Sequence, residues 1–255
     1  MSGDVTQDHY ARLAATYDEN WAYSPAFVDW LTGCIQRRLR ITASERAADI
    51  GCGTGLFARG LAQYADVVVC ADPSAPMLAQ LPRDNRLVPV VATAEEVASG
   101  AVPMPHERYD ALLLKEVLHH VEQRETVIAG LARLLGPGGR MLVVMLPTQI
   151  SYPLFPDALR LFASQQPDPD DIAGLLREAG LETGLTYDRF HLRFPAERYL
   201  QMVRDRYMSL LSHFSDEELE AGAAEIRRAH PGEYIEFDET YAFILGTVAG
   251  ITPAT

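Results

Sequence analysis

Lysine is almost missing from this chain. Lys115 is the only one, so arginine makes up the rest of the 22 basic residues. Cysteine is scarce too: Cys34, Cys52 and Cys70 are odd in number and form no C-x-x-C pair. That argues against a disulfide framework and predicts a reduced, cytoplasmic chain. No apolar run approaches the roughly 18 residues a membrane span requires. The polar N-terminus, MSGDVTQDHYARLAATYDEN, lacks the apolar core of a signal peptide. Positive charge is also in deficit, leaving a net charge of −13. An acidic surface repels both a phosphate backbone and an anionic membrane, so neither nucleic acid nor membrane is expected as the main partner. A small-molecule substrate remains. The near absence of lysine beside abundant Ala, Gly and Arg is the signature of GC-rich codons and points to a bacterial source. Nothing in the sequence bears on oligomeric state.

The 255 residues, 48% of them hydrophobic, are enough to bury a full core. Short apolar runs alternate with helical spacing through the first two thirds. AADI (47–50), DVVVCAD (66–72), LVPVVAT (87–93), YDALLLKEV (109–117) and RMLVVML (140–146) read as buried strands. Helices are expected between them, over about 55–64, from Ser74, over 94–99 and over 122–135. This order predicts an α/β, Rossmann-like, doubly wound and mostly parallel sheet, with its ligand at the C-terminal ends of the strands. Residues 1–45 read as an N-terminal helical cap and 46–194 as the α/β core. Residues 195–231 read as a helical lid inserted between the last two strands, and 232–255 as the final strand. The Pro-rich stretch 147–170 reads as loop with one helical turn. Ser215 and Glu218 have the spacing of a capping box, which starts a helix near 216.

The stretch ADIGCGTGLF ends the first strand with Gly51, Gly53 and Gly55, spaced G-x-G-x-G. A nicotinamide site usually has G-x-G-x-x-G, with its third glycine in the following helix. Asp49 closes the strand, where a carboxylate opposes a diphosphate but suits an ammonium group. Asp72 closes the second strand and is placed to accept from ribose hydroxyls.

ADIGCGTG, VVVCADPSAPML, VVATAEEV, YDALLLKEVLHHV and LARLLGPGGRMLVV stand in an order and spacing that resembles class I S-adenosylmethionine-dependent methyltransferases. The N-terminal YARLAATYD is similar to the entry helix of that family. The resemblance implies S-adenosyl-L-methionine as cofactor, S-adenosyl-L-homocysteine as product, and no metal. It implies that Asp49 meets the methionine ammonium, with Gly51, Cys52 and Gly53 against the methionine and ribose. It implies that Asp72 takes the ribose hydroxyls, with Pro73, Ser74 and Met77 around the adenine. Ala94 and Glu95 would line the adenine. Thr93 stands where the family often has an acid, and its hydroxyl is a weaker candidate for the adenine amino group. Lys115 and Glu116 would lie near the reacting methyl group, with Tyr17 capping the cofactor.

The acceptor is less legible. His119 and His120 are candidate general bases, His119 being favoured as pocket-facing. Tyr10, Arg204 and Tyr207 are candidate acceptor contacts, Arg204 for an anionic group. His191 and His213 lack metal-ligand spacing. The reading is methyl transfer to an O or N atom of a small molecule, ahead of a C atom. One alternative is a cofactor-binding relative that catalyses a cyclisation, the other a nicotinamide-dependent oxidoreductase.

Overall fold

The computed structural model describes residues 24–249. Tyr10 and Tyr17 lie outside them. Helix α1 (Pro25–Leu39) starts where Ser24 accepts the Phe27 N–H and Pro25 occupies the first turn, a position that costs no hydrogen bond. It buries Phe27, Leu31, Cys34, Ile35 and Leu39.

Strands β1 (Arg46–Ile50), β2 (Val67–Asp72), β3 (Leu87–Val91), β4 (Tyr109–Lys115), β5 (Leu135–Met145), β6 (Glu182–Pro195) and β7 (Tyr234–Thr247) form one sheet in the order β3-β2-β1-β4-β5-β7-β6. The first five run parallel, while β7 pairs antiparallel with both β5 and β6. The order reverses between β1 and β4, which is the ligand-binding switch point of such sheets.

Helices α2 (Ala58–Leu61), α3 (Ala75–Leu78), α4 (Ala94–Ser99), α5 (Arg124–Ala132), α6 (Pro156–Gln165) and α7 (Pro169–Glu178) fill the connections. Between β6 and β7 stand α8 (Ala196–Arg204), a 3-10 turn (Ser209–His213) and α9 (Asp216–Ala229). The alternation of side chains along each buried strand divides the core in two. Ala47, Cys70, Ala111, Leu113, Leu142 and Val144 face one layer, together with α1 and the β6–β7 insertion. Ala48, Ile50, Val69, Leu112, Leu114 and Val143 face the other, with α4, α5 and α7.

One expectation needs correction. The Pro-rich stretch after Leu146 contains a full ten-residue helix, α6. Pro156 occupies its first turn, where a missing N–H breaks nothing, so the proline that reads as a breaker is a starter. Within 196–229 the 3-10 turn separates α8 from α9, and the capping box read from Ser215 and Glu218 starts α9. Among the described residues, no helix is long and apolar enough to cross a membrane.

Candidate active site

The turn after β1 is built by backbone geometry that only glycine adopts without strain. Gly51, Gly53 and Gly55 have φ of +74°, +56° and +75°. At Gly51 the reason is also steric, since a Cβ would stand 2.4 Å from Val117 Cγ2. The Gly51 and Cys52 N–H groups donate to Ala71 O at 2.7 and 3.1 Å, and the Gly53 N–H donates to Asp72 Oδ2 at 2.8 Å. Asp72 Oδ1 accepts the Ser74 N–H at 2.8 Å. One carboxylate thus ties the glycine turn to the start of α3. Ser74 caps that helix, and Met77 is buried within it.

Asp49 is buried. Burial raises its carboxyl to about 7, repulsion from Asp72 adds to the rise, and Lys115 opposes it. Asp72 is also raised by burial, against the two backbone N–H groups it accepts. A cation placed against Asp49 would favour its ionised form, which is the fit an ammonium-bearing ligand requires.

At the end of β4, Lys115 Nζ lies 5.2 Å from the Phe57 ring centroid and 5.4 Å from that of Tyr241. Glu116 adopts φ of +55°, a strained conformation for a residue with a side chain. Its N–H donates to Val144 O at 2.9 Å, and its Oε1 accepts the Leu146 N–H at 2.7 Å, fixing it in place. Burial raises the Glu116 carboxyl, opposed by Lys115 and the Leu146 N–H.

His119 follows in the short 3-10 turn Leu118–His120, its Nδ1 buried, without a hydrogen-bond partner among the described residues, and 3.9 Å from Glu116 Oε2. Burial first, then the nearby positive groups His120, Lys115 and Arg124, hold it well below the usual imidazole range, so it is neutral near pH 7. His120 is exposed, its ring 3.9 Å from that of His119, and it lines a groove with Glu95 and Glu122.

The Thr93 hydroxyl accepts the Glu96 N–H while Glu96 accepts the Thr93 N–H, so Thr93 caps α4. Ala94 is buried in the first turn of α4, whereas Glu95 and Pro73 are exposed. Arg204 does not turn inward: it is the last residue of α8, and its Nε donates to Glu220 on α9 at 2.8 Å. Tyr207 packs inside the insertion, its hydroxyl 3.2 Å from that of Tyr199.

One acid escaped the sequence reading. Glu239 on β7 is completely buried, and its Oε1 accepts from Tyr152 at 2.5 Å and from Tyr241 at 2.6 Å. Burial raises it to about 7; the tyrosine hydroxyls and Lys115 oppose the rise, and Glu116 adds to it. The signal was available. Ile235, Phe237 and Tyr241 are the inward positions of an alternating strand, and Glu239 occupies the same row.

Comparison with known proteins bears on what this arrangement serves. Residues 48–143 match the methyltransferase domain family model. The ubiquinone biosynthesis O-methyltransferase of Marinobacter nauticus is 31% identical over 194 residues, covering 68% of this chain and 78% of that protein. The demethylmenaquinone methyltransferase of Tropheryma whipplei is 33% identical over 107 residues, covering 42% of this chain; the match spans 44% of that relative, under half its length. The structure of phosphoethanolamine N-methyltransferase 2 from Haemonchus contortus, solved with S-adenosylhomocysteine, superposes with a TM-score of 0.56 at 18% identity. It covers 85% of this chain and 52% of that one, a likeness of fold. With the glycine turn, the paired strand-end acids and a relative matched over most of its length, the chain belongs to the class I S-adenosylmethionine-dependent methyltransferases.

Proposed function

We propose that this protein transfers a methyl group from S-adenosyl-L-methionine to an oxygen or nitrogen atom of a small molecule, leaving S-adenosyl-L-homocysteine. The observation that carries the reading is the junction of β1 and β2. A glycine-rich turn there is tied to one buried carboxylate, Asp72, beside a second, Asp49, whose ionisation calls for a cation. Asp49 would hold the methionine ammonium, and Asp72 the ribose hydroxyls. Gly51, Cys52 and Gly53 would admit the ligand against the backbone, with Met77 beside the base. Bound there, S-adenosylmethionine supplies a methyl carbon that is already electrophilic.

The protein's own residues then need only orient the acceptor and hold one proton, and orientation supplies most of the gain. Neutral His119 is able to accept a proton at Nδ1, and Glu116 at 3.9 Å is placed to stabilise the resulting cation. The methyltransferase names of the relatives support this reading over cyclisation, and the G-x-G-x-G spacing with Asp49 supports it over a nicotinamide oxidoreductase. No metal is required, and the acidic surface favours a small, uncharged acceptor over nucleic acid.

The test is turnover on a panel of phenols, amines and carboxylic acids with S-adenosylmethionine, followed by mass spectrometry. A methylated product formed together with equal S-adenosylhomocysteine supports the proposal. Conversion of a panel member without S-adenosylhomocysteine, or reduction of a nicotinamide, contradicts it.

A further inference from the structure

Resting on the methyl-transfer reading, the structure also bears on which acceptors this chain takes. Asp49, Lys115, Glu239 and Tyr241 share one face of the sheet. Each lies two or more residues along its strand, in even steps, from Ala47, Leu113 or Phe243 of the same core layer. They also share one end of it. Met145, the last residue of β5, pairs with Ala242, so Glu239 lies three residues past the C-terminal end of β5, and Lys115 ends β4 opposite Val144. Glu239 is therefore at the edge where the cofactor site opens, next to Lys115 across the Tyr241 ring.

Its two oxygens are treated differently. Oε1 is held by two tyrosine hydroxyls from separate segments, Tyr152 after β5 and Tyr241 on β7. Oε2 is fully buried and has no hydrogen-bond partner among the described residues. A buried carboxylate oxygen without a donor is a cost to the fold, and an acid clamped in that state suits a ligand that brings the donor. Apolar rings surround it: Tyr152 packs on Phe237 with centroids 5.1 Å apart, Phe237 packs on Phe194 and Tyr199, and Tyr241 meets Phe27. Aromatic faces favour a flat acceptor, and a buried carboxylate with Glu116 nearby repels an anionic one.

We propose that Glu239 is the acceptor-binding carboxylate: its Oε2 accepts the hydroxyl hydrogen bond of a neutral aromatic alcohol, while Tyr152 and Tyr241 hold Oε1. The hydroxyl so held is the nucleophile: its oxygen bonds the methyl carbon as the S–CH3 bond breaks, and for this acceptor Glu239 Oε2, in place of His119 Nδ1, receives its proton. A molecule of the same shape whose hydroxyl is already methylated has no donor for this oxygen and is discriminated against.

The test uses the full chain and two fragments small enough for any such pocket, phenol and anisole, with binding followed by ligand-observed NMR. At about pH 8 phenol should bind roughly tenfold more tightly than anisole, the size of one hydrogen bond to a charged group. In Glu239→Gln the amide N–H2 replaces Oε2 as a donor, and the preference should fall to within about threefold. Should that variant not fold, the wild type is compared at about pH 5.5. There the carboxyl is protonated and donates to either fragment, so the preference should shrink likewise. The groups facing Glu239 in that titration are Lys115, Glu116, Tyr152, Tyr199 and Tyr241. Absence of phenol binding, equal binding of the two fragments, or a preference unchanged by both the variant and pH overturns the proposal. S-adenosylhomocysteine affinity is measured alongside. Its absence in the wild type contradicts the methyl-transfer reading, whereas its presence without a Glu239-dependent preference contradicts only this inference.

Discussion

The Gly53 N–H donates to Asp72 Oδ2 at 2.8 Å, joining the ends of two neighbouring strands through one carboxylate. With the Ser74 N–H on its other oxygen, Asp72 organises both the glycine turn and α3. Asp72→Ala leaves two backbone donors without their acceptor. It should destabilise the protein by about 2–3 kcal/mol and weaken S-adenosylhomocysteine binding at least tenfold. Chemical denaturation and calorimetry measure the two effects. Asp72→Asn keeps the shape and one acceptor, so it should recover part of the stability and little of the affinity.

Gly51→Ala meets two penalties together. The backbone at φ of +74° disfavours any L side chain, and the new Cβ would press on Val117 Cγ2. A loss of about 2–4 kcal/mol is expected. Adding Val117→Ala removes the clash but not the backbone strain, so the double variant should recover only part of the loss in thermal melts. Full recovery would show that contact alone dictates glycine there.

Stability should depend on pH with an unusual sign. Asp49 and Glu239 are each raised by burial to about 7, from ordinary values of 3.8 and 4.5. Groups raised in the folded state contribute stability that is complete below their unfolded values and is lost as pH rises through the folded ones. The unliganded protein should therefore lose stability between about pH 4 and pH 7 from these two acids. Replacing both by their amides should flatten that window in denaturant titrations at fixed ionic strength.

Arg204 is a discriminating negative case. Its partner Glu220 is 62% exposed, so the pair is screened. Arg204→Ala should cost under about 1 kcal/mol. It should leave acceptor KM unchanged in steady-state kinetics, since the side chain is turned to α9. A rise in KM with stability intact would return Arg204 to the acceptor site.

The parallel core was legible because fully buried strands are written as apolar runs, and those runs match β1, β2, β4 and β5. The glycine turn was legible because three alternating glycines after a strand serve little purpose unless the backbone must turn tightly. What failed to show had a local disguise. Pro156 sits where proline begins a helix as readily as it breaks one. Arg204 and Tyr207 stand three apart, as on one helical face, but α8 ends at Arg204, so helical periodicity does not carry across to Tyr207. Glu239 stands between Asp238 and Thr240 in a polar-looking stretch. Only the inward row formed by Ile235, Phe237 and Tyr241 reveals that its carboxylate is buried.

The central claim is that Asp49 is a buried acid waiting for a positive charge. Calorimetric titration of S-adenosylhomocysteine at about pH 6.5, in two buffers of different ionisation enthalpy, tests it most directly. Binding should release protons as the ammonium drives Asp49 to ionise, and Asp49→Asn should abolish that release and weaken binding at least tenfold. Binding of equal strength to both proteins, with no protons released from either, would contradict the account.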